Sequence, residues 1–197
     1  MSNASTVIVA ARRTPIGAFQ GGLAPATAID LSAAATLACL QDAGVEGADI
    51  DEALLGCVLP AGLGQAPARQ AALAAGLPQG IGTTTINKVC GSGLKAVMLA
   101  DDLLRAGSAD VVLAGGMESM SNAPYLLPKA RAGYRMGHQE VLDHMFYDGL
   151  QNPYDGNMMG FFAEQTAKKY AFSRQAQDEF TQESVQRAVD AAAAGRF

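Results

Sequence analysis

The sequence predicts an α/β fold in which a mainly parallel sheet carries helices on both faces. Short runs of β-branched or apolar residues alternate with alanine-rich segments that repeat their apolar residues every three or four positions. Glycines and prolines separate these segments. Strands that alternate with helices are typical of layered parallel sheets. The chain has 197 residues, 49% of them hydrophobic, which is enough for one large domain or for a domain with an appendage.

The predicted elements follow one another in the order that such a fold needs. In chain order they are a short buried strand at 6–11, a helix at 30–43, a strand at 53–58, a helix of small residues at 68–75, a strand at 83–89, a helix from 94 to near Gly107, and an apolar strand at 109–114. Glycine follows each of these helices, as is common at helix C-termini. The last strand has the composition of a strand that is buried on both faces.

The composition and periodicity of the chain change after Gly116. Methionine, tyrosine, asparagine and proline become frequent, and periodicity weakens until about Gly160. Long connections of this kind are usually functional or disordered. Helices are predicted again at 160–170 and at 173–194, the second with Ser173 as its N-cap.

Composition excludes several classes of function. The net charge is −5, from 14 basic and 19 acidic residues, and no basic patch with interleaved aromatic residues predicts a nucleic-acid partner. No run of about 18 apolar residues predicts a membrane span. The apolar stretch at 7–11 is too short for a signal peptide. Residues 2–4, Ser-Asn-Ala, resemble a remnant of a cloning vector.

The cysteines indicate an intracellular environment. Cys39, Cys57 and Cys90 form an odd set without the spacing of metal ligands, so no metal site is expected. An odd set favours a reducing, cytoplasmic setting over a disulfide framework. Cys39 lies in an alanine-rich helical pattern and Cys57 follows a predicted strand, so both are interpreted as core residues.

Cys90 differs from the other two cysteines because it lies where a strand meets a helix. The β-branched run at 83–89 precedes it, Gly91 and Gly93 follow it, and helical spacing begins at Leu94. Free N–H groups and the positive end of a helix dipole favour the thiolate, which is the nucleophilic form of cysteine. The local pattern is consistent with a nucleophile and also with an inert cysteine that precedes a helix.

Several segments together resemble the thiolase family. The family's nucleophile segment is matched by Ile86-Asn87-Lys88-Val89-Cys90-Gly91-Ser92-Gly93-Leu94-Lys95-Ala96, and its opening strand and turn by Val9-Ala10-Ala11-Arg12-Arg13-Thr14-Pro15-Ile16-Gly17. The second signature of the family is matched by Ala114-Gly115-Gly116-Met117-Glu118-Ser119-Met120-Ser121-Asn122-Ala123-Pro124. The start of its substrate-covering loop is matched by three short segments: Asp148-Gly149-Leu150, Met159-Gly160 and Ala163-Glu164. The resemblance covers nearly the whole chain and is strongest to the acetyl-CoA acetyltransferases, which are the biosynthetic or acetoacetyl-CoA thiolases.

The resemblance implies a fold and a division of the chain. The fold would be the N-terminal half of the five-layered thiolase architecture, in which two similar halves pack through central helices. Residues 1–120 would form the N-terminal α/β domain with Cys90, and residues 121–197 would begin the substrate-covering loop domain. Residues 123–138 are expected to make oligomer contacts in a homodimer or tetramer.

The resemblance also implies a reaction. A thiolase joins two acetyl-CoA molecules to acetoacetyl-CoA and CoA by Claisen condensation, or runs the reverse thiolysis, with no cofactor besides its CoA thioester substrate. Cys90 would take the acetyl group as a thioester, and its backbone N–H would donate to the oxyanion. Leu150, Met158 and Met159 match positions that line the pantetheine and acyl pocket, although some acetyl-specific relatives carry histidine at 158. Without the resemblance, both methionines are interpreted as core residues.

Part of the family's machinery is absent from these 197 residues. Relatives are roughly twice as long, and their second half supplies the asparagine of an Asn-Glu-Ala-Phe segment, the histidine of a Gly-His-Pro segment and a second cysteine before a glycine run. His138 and His144 are the only histidines in the sequence, and neither lies in a catalytic motif of the family. We therefore expect that this chain alone does not catalyse condensation, and that a C-terminal half is lost or is a separate chain.

One other family is excluded, a second is disfavoured, and two alternatives stay open. A papain-like protease shares Cys-Gly-Ser, but Gly93 replaces its second cysteine and both histidines follow Cys90 too closely. A dinucleotide-binding module is disfavoured because no complete Gly-x-Gly-x-x-Gly motif follows a strand. The open alternatives are a broader 3-ketoacyl-CoA thiolase and a non-catalytic half that serves assembly. Asp148-Gly149-Leu150 favours the acetoacetyl type.

Overall fold

The computed structural model describes residues 5–196, and these residues form two compact units. The first unit extends to Gly149 and the second starts at Leu150. Residues 2–4, which resemble a vector remnant, lie outside the described residues.

The helices follow the sequence prediction closely. They are α1 (Ala28–Ala43), α2 (Pro67–Ala74), α3 (Ser92–Ala106), α4 (Met159–Lys169) and α5 (Arg174–Ala193), and the strands are β1 (Glu52–Gly56), β2 (Gly82–Ile86), β3 (Val112–Gly116), β4 (Tyr125–Leu126) and β5 (Leu142–Asp143). Helix ends are well predicted because their signals are local. Thr27 and Asp30 form a capping box at the start of α1, and Gly44 ends it with a φ of +63°. Ser173 caps α5 by accepting the N–H of Ala176 at 3.1 Å.

The sheet of the first unit is parallel and has the strand order β2-β1-β3. Glu52 at the start of β1 pairs with Gly82 on one side and with Val112 on the other. The short strands β4 and β5 pair antiparallel in a separate ribbon. The prediction of a mainly parallel sheet is therefore confirmed.

Both faces of the central strand β1 are covered by helices. Ala53 and Leu55 pack against residues of α1 and α2, whereas Leu54 points the other way and packs against Ala96 and Ala100 of α3. Successive residues of a strand point to opposite faces, so this alternation places two helices on one side of the sheet and one on the other. The prediction of helices on both faces is confirmed.

The predicted strand at 6–11 is wrong. These residues form no strand, and Val7, Ile8 and Val9 are 71%, 78% and 69% exposed. An apolar run becomes a strand only when a neighbour supplies its hydrogen bonds, and nothing within residues 5–196 pairs with this segment. The hydroxyl of Thr6 instead bonds the side chain of Asp101 and lowers the pKa of that carboxyl.

Two other strand predictions need correction at their ends. β2 stops at Ile86 rather than at residue 89, because Val89 has a φ of +48°, which no strand accommodates. β3 starts at Val112 rather than at residue 109, because the Asp51 carboxylate accepts the N–H groups of Asp110 and Val111 at 2.7 and 3.0 Å. β3 is half-buried and not buried on both faces, since among the described strands only β1 pairs with it.

Glycines at the carboxyl ends of two strands let the start of α3 approach the sheet. A Cβ on Gly56 would lie 2.6 Å from the carbonyl carbon of Ser92, closer than real contacts allow. A Cβ on Gly116 would lie 3.2 Å from the Cα of Gly93. The absence of side chains at these positions therefore permits α3 to begin this close to the sheet.

Replacement of Gly56 by alanine should push α3 away from the sheet. We expect Gly56→Ala to lower the free energy of unfolding by about 1–3 kcal/mol, the usual cost of overpacking. Gly80→Ala is the matched control, because a Cβ at that position meets no atom within 4 Å. Urea unfolding followed by far-UV circular dichroism measures both variants. Equal stabilities of the two variants would contradict the close approach of α3.

Candidate active site

The predicted nucleophile lies on the turn at 87–91 that connects β2 to α3. Gly91 is the N-cap of α3, and Cys90 is the residue before it. Cys90 is exposed and its thiol is free. The structure therefore places this sulfur at the surface of the first unit, next to a helix N-terminus.

The residue before the nucleophile is conformationally strained. Val89 has a φ of +48°, a left-handed conformation that β-branched residues rarely adopt. Its N–H donates to Oδ1 of Asn87 at 2.9 Å. Its carbonyl accepts from Oγ of Ser92 at 2.6 Å and from the Ser92 N–H at 3.0 Å. Hydrogen bonds therefore engage the backbone on both sides of Val89.

The backbone N–H of Cys90 is an available donor at the start of α3. The Gly91 N–H donates to the carbonyl of Lys88 at 3.1 Å, whereas the Cys90 N–H donates in none of the hydrogen bonds found among residues 5–196. α3 has 15 residues, so the positive end of its dipole lies at this turn. The Cys90 N–H and the positive potential of the helix N-terminus both favour an anion at this place.

Glu118 anchors the loop that follows β1. Its carboxylate accepts the N–H groups of Val58 and Leu59, both at 2.9 Å. The carbonyl of Val58 in turn accepts from Nδ2 of Asn87 at 3.4 Å. These contacts connect the segments that follow β1, β2 and β3 around the turn that carries Cys90.

The other two cysteines lie in different surroundings. Cys57 belongs to the buried core, as predicted, and burial raises the pKa of its thiol to about 11, with a further rise from the charge of Glu118. A protonated and enclosed thiol is a poor nucleophile. Cys39 is half-buried and, with Arg12, lines a cavity of about 180 Å³ between α1 and β3 whose lining does not include Cys90.

His144 is engaged at both ring nitrogens. Its side chain is buried, its Nδ1 lies 2.6 Å from Oδ2 of Asp148, and its Nε2 accepts the N–H of Ala61 at 3.3 Å. This network assigns the proton to Nδ1 and leaves neither nitrogen available as a base. His138 lies in an exposed segment.

The three predicted substrate-binding residues all lie in the second unit. Leu150 and Met158 are half-buried, and Met159 is 46% exposed. Met158 is the N-cap of α4, and a β-bridge to Gln151 brings it close to Leu150 along the chain. Their role in a pocket stays a prediction.

The structure adds residues that the sequence analysis did not single out. Asn87 and Ser92 lie inside the nucleophile segment, and an asparagine two residues before a turn is a known signal for a bond to the backbone. Glu118 lies two residues after the end of β3, where a half-buried carboxylate needs hydrogen-bond partners. No local sequence pattern identifies Gly56, because its role is to leave room for α3, which is distant in the sequence.

Comparison with known proteins supports the family assignment. The family model "Thiolase, N-terminal domain" matches residues 6–197, so the chain belongs to the thiolase family. It is 51% identical over 190 residues to an acetyl-CoA acetyltransferase of Chromobacterium violaceum, covering 96% of this chain and 48% of the relative. An acetyl-CoA acetyltransferase of Escherichia coli is 49% identical over 192 residues, covering 97% of this chain and 49% of the relative.

A solved structure shares the fold. A thiolase from Ascaris suum in complex with coenzyme A superposes with a TM-score of 0.91 at 36% identity, covering 96% of this chain and 49% of that chain. The expected thiolase fold is therefore confirmed. The chain spans about half the length of the relatives that it matches. Among residues 5–196, no helix is both long enough and apolar enough to cross a bilayer.

The raised pKa of Cys57 predicts a pH-dependent stability. The thiol ionises near pH 9 when unfolded but near 11 when folded, so stability should fall as the pH rises from about 9 to 11. Cys57→Ala should lack the part of this loss of stability that comes from ionisation of the Cys57 thiol. Cys39→Ala keeps the buried thiol and should retain that part. Urea unfolding at a series of pH values measures the difference. Parallel curves for the wild type and Cys57→Ala would contradict the assignment.

Proposed function

We propose that this chain is the N-terminal half of an acetyl-CoA acetyltransferase of the thiolase type. The whole enzyme would join two acetyl-CoA molecules to acetoacetyl-CoA and CoA, or catalyse the reverse thiolysis, through an acetyl group carried on Cys90. The observation that carries the proposal is an exposed thiol at the N-terminus of α3 in a chain of the thiolase family. The names of relatives about half identical to this chain support the choice of acetyl-CoA.

In the first half-reaction Cys90 accepts the acyl group. The thiolate attacks the thioester carbonyl, a new carbon–sulfur bond forms, and the bond to the CoA sulfur breaks as CoA leaves. The Cys90 N–H would donate to the oxygen that becomes negative, and one such donor is worth roughly 3 kcal/mol in acyl-transfer enzymes. In the second half-reaction the α-carbon of another acetyl-CoA loses a proton and attacks the acetyl carbon, which releases Cys90.

The proton-transfer groups for this second step would come from the C-terminal half, on the same or on a separate chain. His144 cannot serve, because both of its nitrogens are engaged. We therefore expect no condensation by these 197 residues alone, and sustained acetoacetyl-CoA formation by the pure chain would refute this expectation.

Residues 121–197 are proposed to begin the region that covers the substrate. Leu150, Met158 and Met159 would contact the pantetheine and acyl group, and the coenzyme A held by the thiolase of Ascaris suum supports a CoA site in this fold. The exposed segment 123–138 would take part in a homodimer or tetramer. Three free cysteines support a reducing, cytoplasmic location.

Acetylation of the pure chain tests the nucleophile. On incubation with acetyl-CoA we expect a slow single modification, which peptide mass spectrometry locates on Cys90 as a hydroxylamine-sensitive thioester. Cys90→Ala should abolish the modification, and Cys39→Ala is the matched control that should retain it. Acetyl groups on other residues only, or an unmodified Cys90, would contradict the proposal.

A further inference from the structure

We propose that Asn87 and Ser92 are positioning residues that hold Val89 in its left-handed conformation and thereby aim the thiol and the amide of Cys90. The inference rests on the proposed function only in taking Cys90 as the residue that accepts the acetyl group. The positioning itself follows from the hydrogen bonds of the turn.

The conformation of Val89 needs external support. Its φ of +48° is unfavourable for a β-branched side chain, and that side chain is 51% exposed, so packing does not hold it. The direction in which the chain leaves Val89 determines where Cys90 points. A turn that relaxed to an extended φ would carry the sulfur to another place.

Asn87 uses both ends of its amide on this turn. Oδ1 accepts the N–H of Val89 at 2.9 Å, and Nδ2 donates to the carbonyl of Val58 at 3.4 Å. Val58 is itself fixed by Glu118. Asn87 therefore connects the backbone of Val89 to a loop that the Glu118 side chain holds in place.

Ser92 acts on the other side of Val89. Its buried hydroxyl accepts the N–H of Lys88 at 2.8 Å and donates to the carbonyl of Val89 at 2.6 Å. The Val89 carbonyl and the Cys90 N–H belong to one planar trans peptide group and point in opposite directions. By fixing the carbonyl, Ser92 fixes the direction in which the Cys90 N–H can donate.

The two residues thus have separable effects. Asn87 supports the strained φ, whereas Ser92 orients the peptide group that carries the oxyanion donor. Glycine adopts positive φ without strain, so Val89→Gly removes the need for the support of Asn87 but leaves the orientation of the peptide group to Ser92. This difference separates positioning from a general contribution to folding.

The test compares two reactions of Cys90 in the whole chain. Alkylation by iodoacetamide depends on the thiol alone, whereas acetylation by acetyl-CoA also depends on the amide donor. Each rate is measured by peptide mass spectrometry for Asn87→Ala and Ser92→Ala, alone and combined with Val89→Gly. Asn152→Ala is the matched control, because Asn152 also accepts an N–H two residues further on, from Tyr154 at 3.1 Å, but in the second unit. Urea midpoints are recorded for all variants.

We expect Asn87→Ala to slow acetylation by about tenfold, within the range of one to two ordinary hydrogen bonds, and to slow alkylation by up to the roughly two- to fivefold that the helix N-terminus contributes. Val89→Gly should reduce that loss to within about twofold. Ser92→Ala should slow acetylation about tenfold more than alkylation, and Val89→Gly should not restore this difference. Asn152→Ala should match the wild type in both rates.

Two results would overturn the inference. One is wild-type rates for Asn87→Ala and Ser92→Ala. The other is a loss that follows the urea midpoints, affects both reactions equally and is unchanged by Val89→Gly. If Ser92→Ala does not fold, the comparison of Asn87→Ala with and without Val89→Gly tests the inference by itself. Failure of the proposed function can be distinguished from failure of this inference. If the proposed function is wrong, neither the wild type nor any variant is acetylated on Cys90, and the alkylation rates still test the role of the turn.

Discussion

The close approach of α3 to the carboxyl ends of β1 and β3 is the contact on which the rest of the site depends. Gly56 and Gly116 leave no side chain between the strands and the first turn of the helix. The turn at 87–91 must then carry the chain from β2 into a helix whose starting point is already fixed. Ligands of open α/β sheets bind at this edge, where helix N-termini and strand ends meet. The sheet thus determines where Cys90 lies.

The turn at 87–91 includes an unfavourable backbone conformation at Val89. A non-glycine residue in the left-handed region costs about 1–3 kcal/mol. Against this stand the three hydrogen bonds that Asn87 and Ser92 make to the peptide groups of Val89, each worth about 0.5–1.5 kcal/mol. The two sums are of similar size, so these bonds, two from side chains and one from the Ser92 N–H, are sufficient to maintain the conformation. Because this peptide is trans, the bonds to the Val89 carbonyl also fix the direction of the Cys90 N–H.

Local signals made the helices and the position of Cys90 before α3 predictable from the sequence. Thr27, Gly44 and Ser173 mark helix ends by chemistry that needs only a few neighbouring residues. The placement of Cys90 followed from a change of periodicity, and the thiolase resemblance added its chemical role. The strand predicted at 6–11 failed because periodicity reports an apolar segment and not the partner that a strand requires. The start of β3, the role of Gly56 and the contacts of Glu118 depend on residues far apart in the chain, which one sequence does not bring together.

The central claim is that the fold activates Cys90 by holding it at the N-terminus of α3. The most direct test is the rate constant for alkylation of Cys90 by iodoacetamide, measured at one pH in the native chain and in the chain unfolded by urea. A helix dipole contributes about 0.3–1 kcal/mol to an adjacent anion, so native Cys90 should react roughly two- to fivefold faster than unfolded Cys90. An equal or slower reaction in the native chain would contradict the claim.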